Sequence, residues 1–286
     1  MKLSIVILTM GNRPAELSHA VASTAPLRAA GAELVVVGNG ADAGTVPSGV
    51  TVLRLAENAG VAAGRNAGVR ACAGDVVLFL DDDAWYPDAA ALGERVAARF
   101  AADPGLAVLS FRVVDPAGGT GGRWHVPRLR ASDPERSSVV TTFAGGVCAI
   151  RRSAFLEAGG QPEAFFFGHE ETDLSWRLMD LGYRIEYDTT VAVCHPATHN
   201  ARHETWYRLE ARNRVWLARR NLPWPLAVVY LIDWVLITVI RERSRAALRA
   251  WFAGFAEGWR RHPGPRRPIS LRTAWRMTRF GRPPII

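Results

Sequence analysis

The chain has 286 residues, of which 49% are apolar and 22% are charged, so it can bury a substantial core and is not globally disordered. Its three cysteines are odd in number and not closely spaced, which argues against a disulfide framework and a thiolate zinc site and favours a reducing compartment. The net charge of +8 is uneven, because residues 241–286 hold twelve arginines and two acids, a balance of +10 that leaves −2 for the rest.

The first part of the chain alternates apolar strands with helical stretches. Residues 2–9 predict a first strand, and their apolar run is too short for the core of a signal peptide. Residues 15–30 predict a helix, and residues 33–37 and 50–55 predict two further strands. This alternation indicates crossover connections, a mostly parallel sheet and a Rossmann-like α/β fold.

Residues 58–72 predict a turn and a helix rich in small side chains. Gly60, Gly64 and Gly68 match a dinucleotide fingerprint poorly, because no strand directly precedes them and their spacing differs. The small side chains instead predict close packing of this helix on the sheet. Arg65 is the exception, since a guanidinium near the strand ends suits a phosphate or a base edge, although a solvated helix arginine is an equally good interpretation.

The next strand, residues 76–80, is an unbroken apolar run that ends in Asp81, Asp82 and Asp83. Such a run is typical of a strand buried on both faces of a parallel sheet, and ligands of open α/β sheets lie at the carboxyl ends of strands. Three adjacent carboxylates favour a cation between them, and a hard divalent ion shared with a phosphate fits that need. A solvated acidic turn before a helix is the alternative.

Residues 115–138 predict a long loop that contains Trp124 and His125 and suits a lid or an acceptor-binding loop. Gly145 and Gly146 follow in a strand-like context, which indicates a bulge or a close backbone approach to a ligand.

A second acidic cluster, Glu170 and Glu171, follows the three phenylalanines at residues 165–167 and begins a predicted helix. Acids in a first helical turn are favoured by the helix dipole, which is the structural interpretation. The aromatic run would place a carboxylate in a partly apolar pocket, raise its pKa and suit it to act as a general base. Asp173 and Arg177 are four residues apart and are expected to pair.

Residues 184–194 predict a strand that ends at His195. A histidine there, with His199 and His203 nearby, could complete a metal site, although an isolated histidine is more often a surface or core residue. An arginine-rich helix is predicted over residues 204–220.

With these motifs in order, the chain resembles a family 2 glycosyltransferase of the inverting GT-A type over roughly residues 1–215. The resemblance is carried by ILTMGNRP, ENAGVAAGRNAG, GDVVLFLDDDAW, FAGGVCAIRRSAFLEAGG and FFFGHEETDLSWRLMDLGYRI, then His195 and Arg212-Asn213. It implies a GT-A fold, a nucleotide-diphosphate sugar as donor and Mg²⁺ or Mn²⁺ as cofactor.

The same resemblance implies roles for single residues. Asp81, Asp83 and His195 are implied to bind the metal ion, and Glu171 is implied to be the catalytic base, with Glu170 as its neighbour. The implied nucleotide contacts are Thr9, Arg13, Arg65 and, beside the ribose, Asp82.

Two positions depart from the family's pattern. Gly38 stands where the family usually has an aspartate that contacts the base, so Asn39 or Asp42 is expected to take over this contact. Glu171 stands where the usual base is an aspartate, and its longer side chain is expected to reach the acceptor.

The remaining residues, 216–286, predict a basic helical extension. Residues 222–240 are nearly all apolar and just long enough to span a bilayer. A span would bury Asp233, which costs about 2.5–3.5 kcal/mol at a helix centre, and would carry the +10 segment across the membrane. The helix that follows aligns Leu248, Trp251, Phe252, Phe255 and Trp259 on one face. Attachment in the plane of an anionic membrane surface is therefore expected rather than a span or a purely dimeric interface.

The sequence thus predicts a metal-dependent inverting glycosyltransferase, cytoplasmic and peripheral on the inner face of the cell membrane. Its acceptor would be a glycan or a lipid-linked hydroxyl, in cell-envelope or polysaccharide biosynthesis, and it could form a homo-oligomer. One alternative is a sugar-1-phosphate nucleotidyltransferase. That class of enzyme has a Gly-rich first loop with a lysine, whereas the first loop here reads GNRPAELS and has no lysine. The other is a non-catalytic nucleotide-sugar-binding protein. Nucleic acid is disfavoured as a partner, because the aromatic residues are not interleaved for base stacking.

Overall fold

The structure is a computed structural model that describes residues 1–117, 119, 126–128, 133–196 and 203–286. Trp124, His125 and His199, which the sequence analysis singled out, lie outside the described residues.

The described strands form a mostly parallel sheet, as predicted. They are β1 (Leu3–Thr9), β2 (Glu33–Asn39), β3 (Thr51–Leu55), β4 (Val76–Asp81), β5 (Leu106–Val114), β6 (Ser138–Val140), β7 (Val147–Arg151) and β8 (Arg184–Cys194). Their order is β3-β2-β1-β4-β7-β5-β8-β6. Strands β1 to β4 are parallel, as are β5 and β8, whereas β7 and β6 run antiparallel to their neighbours.

Helices cover both faces of the sheet. They are α1 (Pro14–Ser23), α2 (Ala25–Ala29), α3 (Gly60–Ala71), α4 (Ala89–Ala102), α5 (Arg152–Glu157), α6 (Glu170–Asp180), α7 (Glu204–Asn221), α8 (Trp224–Arg241), α9 (Arg245–Arg260) and α10 (Leu271–Arg279). The single helix predicted over residues 15–30 is two helices, α1 and α2. Pro26 has no backbone N–H and cannot continue the hydrogen-bond ladder, so the chain turns at Thr24.

Side chains alternate across the sheet and fill two separate cores. In β4, Val77 and Phe79 enter one core, whereas Leu78 and Leu80 enter the other. Helix α3 packs directly on the sheet, as predicted, because a Cβ atom on Gly64 would collide with the side chain of Leu8.

Helix α7 continues through residues 215 and 216, where the sequence analysis divides the chain into a domain and an extension. Helix α9 packs along α7 so closely that a Cβ atom on Gly254 would collide with the carbonyl group of Arg208. The division after residue 215 stays a prediction.

One side of α8 is buried in the core and the other is an exposed apolar face. The exposed members of this face are Trp224, Val228, Val229, Ile232, Leu236, Val239 and Ile240. Ala227, Tyr230 and Leu231 are buried on the opposite side. Among the described residues, α8 is the helix that is long and apolar enough to cross a membrane, and 17% of it is buried.

The aromatic residues of α9 share one face, as predicted, but Trp251 is packed against the protein and is not exposed to a membrane. This side chain is buried and stacks on Phe255 at 5.3 Å between ring centroids, whereas Phe252 and Trp259 are exposed. Some arginines of the basic segment are also structural, since Arg266 donates hydrogen bonds to the carbonyl oxygens at the end of α7.

Candidate functional site

The carboxyl ends of β4 and β8 bring together the three predicted metal-binding side chains. Asp81 ends β4 and Asp83 follows in a turn. Trp85 and Cys194 exchange two backbone hydrogen bonds of 2.9 Å, which fix His195 beside this turn. Nε2 of His195 lies 3.3 Å from Oδ1 of Asp83 and 3.8 Å from Oδ2 of Asp81.

Two carboxylates and an imidazole have the ligand chemistry of a divalent ion such as Mg²⁺ or Mn²⁺. Within the described ranges, however, no group of three or more His, Cys, Asp or Glu side chains is arranged as a metal-binding cluster. Guanidinium groups contact these aspartates, and that of Arg13 bonds directly to Asp83 and lies 3.8 Å from Oδ1 of Asp82. A divalent ion at the turn would therefore compete with Arg13 for Asp83.

Asp82 turns toward β1 instead. Oγ1 of Thr9 donates to Oδ2 of Asp82 at 2.7 Å, and the N–H of Gly11 donates to the same hydroxyl at 3.0 Å. Burial raises the pKa of Asp82; the hydrogen bond from Thr9 opposes this rise and the charge of Asp83 adds to it. Thr9 thus positions Asp82 in this structure.

Arg65 connects the two predicted acidic clusters. It is 6% exposed, which rules out a solvated helix arginine. Nη2 lies 3.1 Å from Oδ1 of Asp81, and Nη1 lies 3.5 Å from Oε1 of Glu170. A Cβ atom on Gly145 would lie 2.6 Å from Nη1 of Arg65, and one on Gly146 would collide with the carboxylate of Asp81. The close approach predicted at the two glycines is therefore to these side chains.

The predicted base lies at the start of α6, next to Glu170 and within reach of the charge of Arg65. Burial is the main cause that raises the pKa of Glu171 to about 8, and the charge of Glu170 adds to the rise. Glu171 keeps some contact with solvent, but Glu170 is buried, and its Oε2 has no hydrogen-bond partner. A carboxylate pair with one buried and one half-buried member beside an arginine is an arrangement that suits proton transfer.

The raised pKa predicted for this carboxylate is found, but only one of the three phenylalanines expected to make its surroundings partly apolar is buried. Phe165 is fully buried, but Phe166 and Phe167 are 38% and 42% exposed. The reason is a backbone turn, because Phe166 has a φ of 64° and reverses the chain direction.

Asn213 of α7 holds the loop that leads to the acidic pair. Its Nδ2 lies 2.9 Å from the carbonyl oxygens of Phe165 and Phe167 and 2.8 Å from that of Gly168. His169, the next residue, has a left-handed φ of 68°, which is uncommon for a residue with a side chain. The amide of Asn213 therefore stabilises a loop conformation that the local sequence does not favour.

Glu210 was not predicted from the sequence. Its Oε2 lies 3.0 Å from Nε2 of His169, and its carboxylate bonds directly to Arg214. Burial alone would raise the pKa of Glu210, but Arg214 and His169 together lower it far below its usual range. The spacing of four residues between Glu210 and Arg214 was an available sign of pairing. Nothing local indicated that His169 would join the pair.

The pairing predicted for Asp173 and Arg177 is confirmed by a hydrogen bond of 2.8 Å. Asp173 is fully buried and also accepts hydrogen bonds from Arg220 at 2.9 Å and from Asn221 at 2.6 Å. Burial would raise the pKa of Asp173, but Arg177 and Arg220 lower it. This carboxylate therefore fastens α6 to the end of α7.

In the region expected to contact the nucleotide base, backbone atoms occupy the space that a side chain at residue 38 would need. A Cβ atom on Gly38 would collide with the carbonyl oxygen of Ala41, so the fold excludes an aspartate here. Asn39 is buried and donates to Oδ1 of Asn58 at 2.9 Å, whereas Asp42 is exposed.

A family model described as glycosyl transferase family 2 matches residues 5–159, more than half of the chain. The pre-mycofactocin glycosyltransferase of Mycobacterium tuberculosis is 30% identical over 179 residues, which cover 60% of this chain and 35% of that protein. N-acetylglucosaminyl-diphospho-decaprenol L-rhamnosyltransferase of the same species is 29% identical over 111 residues, which cover 38% of this chain and 35% of that protein. The chain thus spans about a third of the length of these relatives.

Among solved structures, that of GalNAc-T7 with UDP, GalNAc and Mn²⁺ has a TM-score of 0.63 to this chain at 18% identity. The match covers 81% of this chain and 49% of that one. At this identity the likeness concerns the fold, and it confirms the expected mixed α/β GT-A architecture.

Proposed function

The chain belongs to glycosyltransferase family 2, and from that premise we propose that it transfers a sugar from a nucleotide-diphosphate donor to an acceptor hydroxyl, with inversion at the anomeric carbon. The observation that carries this proposal is the position of Arg65, which contacts both Asp81 and Glu170. Donor-side and base-side carboxylates therefore share one cleft. A transfer reaction needs this arrangement, because the leaving group and the attacking group must meet at one carbon.

On the donor side, Asp81, Asp83 and His195 are the side chains that would hold Mg²⁺ or Mn²⁺, which when bound stabilises the negative charge that builds on the leaving diphosphate. The contents of the GalNAc-T7 structure, UDP and Mn²⁺, support this assignment. Arg13 contacts Asp83 and Arg65 contacts Asp81, so the protein itself also supplies positive charge at this site.

For the nucleotide, we assign direct contacts to Arg13, Arg65 and Asp82. The side chain of Arg13 is 41% exposed and therefore accessible to a phosphate. Thr9 and Asn39 are buried, and we assign them structural roles: Thr9 holds Asp82 in position, and Asn39 stabilises the turn after β2. A nucleotide contact of Thr9 or Asn39 would be made at the cost of these internal hydrogen bonds.

On the acceptor side, Glu171 accepts the proton of the acceptor hydroxyl. The oxygen attacks the anomeric carbon from the face opposite the diphosphate, whose bond to that carbon breaks. A pKa raised to about 8 keeps Glu171 a strong enough base for this proton at mildly alkaline pH. Glu170 stays paired with Arg65 and contributes to the raised pKa of its neighbour.

We further propose that the protein lies on the inner face of a membrane and that its acceptor is a glycan or a lipid-linked sugar. The exposed face of α8 is apolar apart from the half-buried Asp233 at its edge, and such a patch on a protein surface marks a partner or a membrane. Exposed arginines follow it, namely Arg241, Arg243, Arg245 and Arg249. The name of the decaprenol-linked relative supports a lipid-linked acceptor.

Attachment in the membrane plane fits α8 better than a span. Ala227, Tyr230 and Leu231 of this helix are buried in the protein, so only the opposite side is free to contact lipid. A span would have to remove these side chains from the core, at about 1.5–3 kcal/mol for each large apolar one.

The test is a panel of UDP-, GDP- and dTDP-sugars mixed with the full chain, with and without Mn²⁺. We expect one nucleotide class to raise the Tm when Mn²⁺ is present and to release its nucleoside diphosphate. If no nucleotide sugar binds under either condition, the proposal is wrong. Metal-dependent binding without turnover on any acceptor would indicate a non-catalytic binding protein instead.

A further inference from the structure

A cavity of about 240 Å³ lies between α3, α5 and the loop that follows α5. Its lining includes Asn66 and Arg70 of α3, Leu156 of α5, and Gln161 and Glu163 of the loop. The side chains of Arg70 and Glu163 are exposed, so the cavity can be reached from solvent. It is smaller than the roughly 300–1,000 Å³ of pockets for drug-sized ligands and suits a single sugar ring or a molecule of similar size. Among the described residues, its lining includes none of the side chains that we assign to the donor or to proton transfer.

The carboxamide of Gln161 is the polar group of this lining that the fold leaves unbonded. The residue is 2% exposed, and neither Nε2 nor Oε1 has a hydrogen-bond partner among the described residues. Its backbone, in contrast, is bonded on both sides, because its N–H donates to Oδ1 of Asn66 at 2.9 Å and its carbonyl oxygen accepts from Nδ2 of Asn66 at 2.8 Å. Buried amides in folded proteins are almost always bonded. An unpaired donor and an unpaired acceptor on one side chain therefore indicate a ligand that supplies both.

The loop that carries this carboxamide is fixed, whereas the carboxamide itself is adjustable. Nη2 of Arg177 donates to the carbonyl oxygen of Gly160 at 2.8 Å, and the N–H of Gly160 donates to the carbonyl oxygen of Phe155 at 2.9 Å. Because Nε2 and Oε1 of Gln161 have no bond within the protein, rotation of this side chain toward the cavity breaks no hydrogen bond. A fixed loop with an adjustable donor and acceptor loses little conformational freedom when a ligand binds.

The charged side chains of the lining favour a neutral ligand. Nη1 of Arg70 lies 3.4 Å from Oε1 of Glu163, and the same oxygen accepts from Nδ2 of Asn66 at 3.0 Å. A phosphate or carboxylate would compete with Glu163 for Arg70. An ionised carboxylate also has no proton to donate to Oε1 of Gln161.

The apolar part of the lining favours a sugar ring over a nucleobase. A base would satisfy the carboxamide, but bases bind preferentially where they stack on an aromatic face. Phe155, the aromatic residue of the lining, is fully buried. Leu156 is exposed and offers aliphatic surface that can pack against the C–H groups of a sugar ring. Two adjacent hydroxyls of such a ring supply the missing donor and acceptor together.

We propose that this cavity binds a neutral sugar through a pair of adjacent hydroxyls, one donating to Oε1 of Gln161 and the other accepting from Nε2, with the ring against Leu156. The bound sugar is neither the one transferred nor the one that reacts, because the cavity shares no lining residue with the aspartate turn or the acidic pair. The inference does not rest on the proposed function. Under that function, the site holds another sugar residue of a glycan acceptor.

The probes are methyl β-glucoside, methyl β-galactoside and methyl α-mannoside, titrated with the full chain and followed by NMR at the O-methyl resonance. The 3-deoxy analogue of the best probe tests the hydroxyl pair, because it keeps the ring but has no two adjacent hydroxyls on it. We expect the analogue to bind at least several-fold more weakly. Uridine and adenosine, titrated in the same way, test the nucleobase alternative.

Gln161→Met locates the hydroxyl pair, because methionine is unbranched and similar in length but has no amide. We expect it to weaken binding of the best probe about 10-fold without lowering the Tm, since two hydrogen bonds to the ligand are lost and none within the protein. Leu156→Ala tests the apolar wall without changing a buried residue and should weaken binding about 2- to 5-fold. Its matched control is Leu181→Ala, because the two leucines are 43% and 47% exposed and Leu181 does not line the cavity.

Four results would each overturn the proposal. They are no binding of any methyl glycoside, equal binding of the 3-deoxy analogue, wild-type affinity of Gln161→Met, and equal affinity of Leu156→Ala and Leu181→Ala. Tighter binding of uridine or adenosine that is lost in Gln161→Met would make the cavity a nucleobase site and would refute the sugar assignment. Nucleotide-sugar binding is measured separately on the same samples, and its failure would refute the proposed function and not this site.

Discussion

Nη1 of Arg65 lies 3.5 Å from Oε1 of Glu170, so an arginine of α3 meets the first residue of α6. The same guanidinium contacts Asp81 at the end of β4. A planar group with several N–H donors can hold two carboxylates at once, which a lysine ammonium on a single stem does less well. The geometry of the cleft therefore depends on an arginine at this position.

Arg65→Lys is expected to keep the charge but lose one of the two contacts. Because the carboxylates of Asp81 and Glu170 are then held less firmly, we expect kcat/KM for the nucleotide sugar to fall about 10- to 100-fold. The control is Arg70→Lys on the same helix, whose arginine is exposed and contacts Glu163 at 3.4 Å. Equal kinetics for the two variants would show that Arg65 has no special role in the cleft.

Glu171→Gln is expected to abolish transfer and to leave donor binding nearly intact. The amide has the size of the carboxylate but cannot accept the hydroxyl proton, and loss of a general base lowers kcat by about 10²- to 10⁴-fold. Nucleotide release and donor affinity should be measured on the same preparation. A parallel loss of affinity and turnover would argue against Glu171 as the base.

The pH dependence of stability provides an independent test of the same side chain. The pKa of the Glu171 carboxyl rises from 4.5 to about 8 on folding, so between these pH values the folded protein holds a proton that the unfolded chain has lost. The free energy of unfolding therefore falls as the pH rises from 4.5 to about 8. Glu171→Gln removes this effect. We expect the variant to exceed the wild type in Tm by a few degrees at pH 9 and to match it within ~1 °C at pH 5. A Tm difference independent of pH would mean that the pKa is not raised.

The sequence predicts the parts of this site that depend on local pattern. The apolar run before Asp81 identifies a buried strand, and the four-residue spacing of Asp173 and Arg177 identifies their ion pair. Each follows from periodicity, which a short stretch of sequence contains. The resemblance to a known family added the GT-A fold and the implied roles of the acidic residues, which periodicity does not contain.

Contacts between distant segments could not be predicted in the same way. His169 meets Glu210 only because α7 packs on the loop before α6, and no local pattern specifies that approach. The exposure of Phe166 has a similar origin, since it follows from one residue with positive φ, where the aromatic run alone suggested burial. Gly38 is explained only by the carbonyl of Ala41 that turns back against it.

Asp83→Asn is expected to weaken donor binding that depends on Mn²⁺. The amide removes one negative charge and one strong oxygen ligand from the turn, and it also releases Arg13. Titration of Mn²⁺ at a fixed nucleotide-sugar concentration should give a midpoint at least about 10-fold higher than that of the wild type. Glu94→Gln, the same loss of charge at an exposed position on α4, is the control. An unchanged midpoint would remove Asp83 from the metal assignment.

The exposed face of α8 should bind anionic vesicles in proportion to its apolar area. Ile232 and Leu236 are each 53% exposed and lie one turn apart on this face. Because each side chain is about half exposed, replacing both with serine removes about half of the 1.5–3 kcal/mol of a fully transferred side chain at each position, so binding to vesicles with phosphatidylglycerol should fall about 10-fold in a sedimentation assay. Val52→Ser, which is similarly exposed on β3, is the control. Because arginines beside the face add electrostatic attraction, wild-type binding should also weaken as salt is raised. If the protein does not sediment with such vesicles at low salt, the proposed membrane attachment is wrong. The apolar face would then have to be covered by another protein surface.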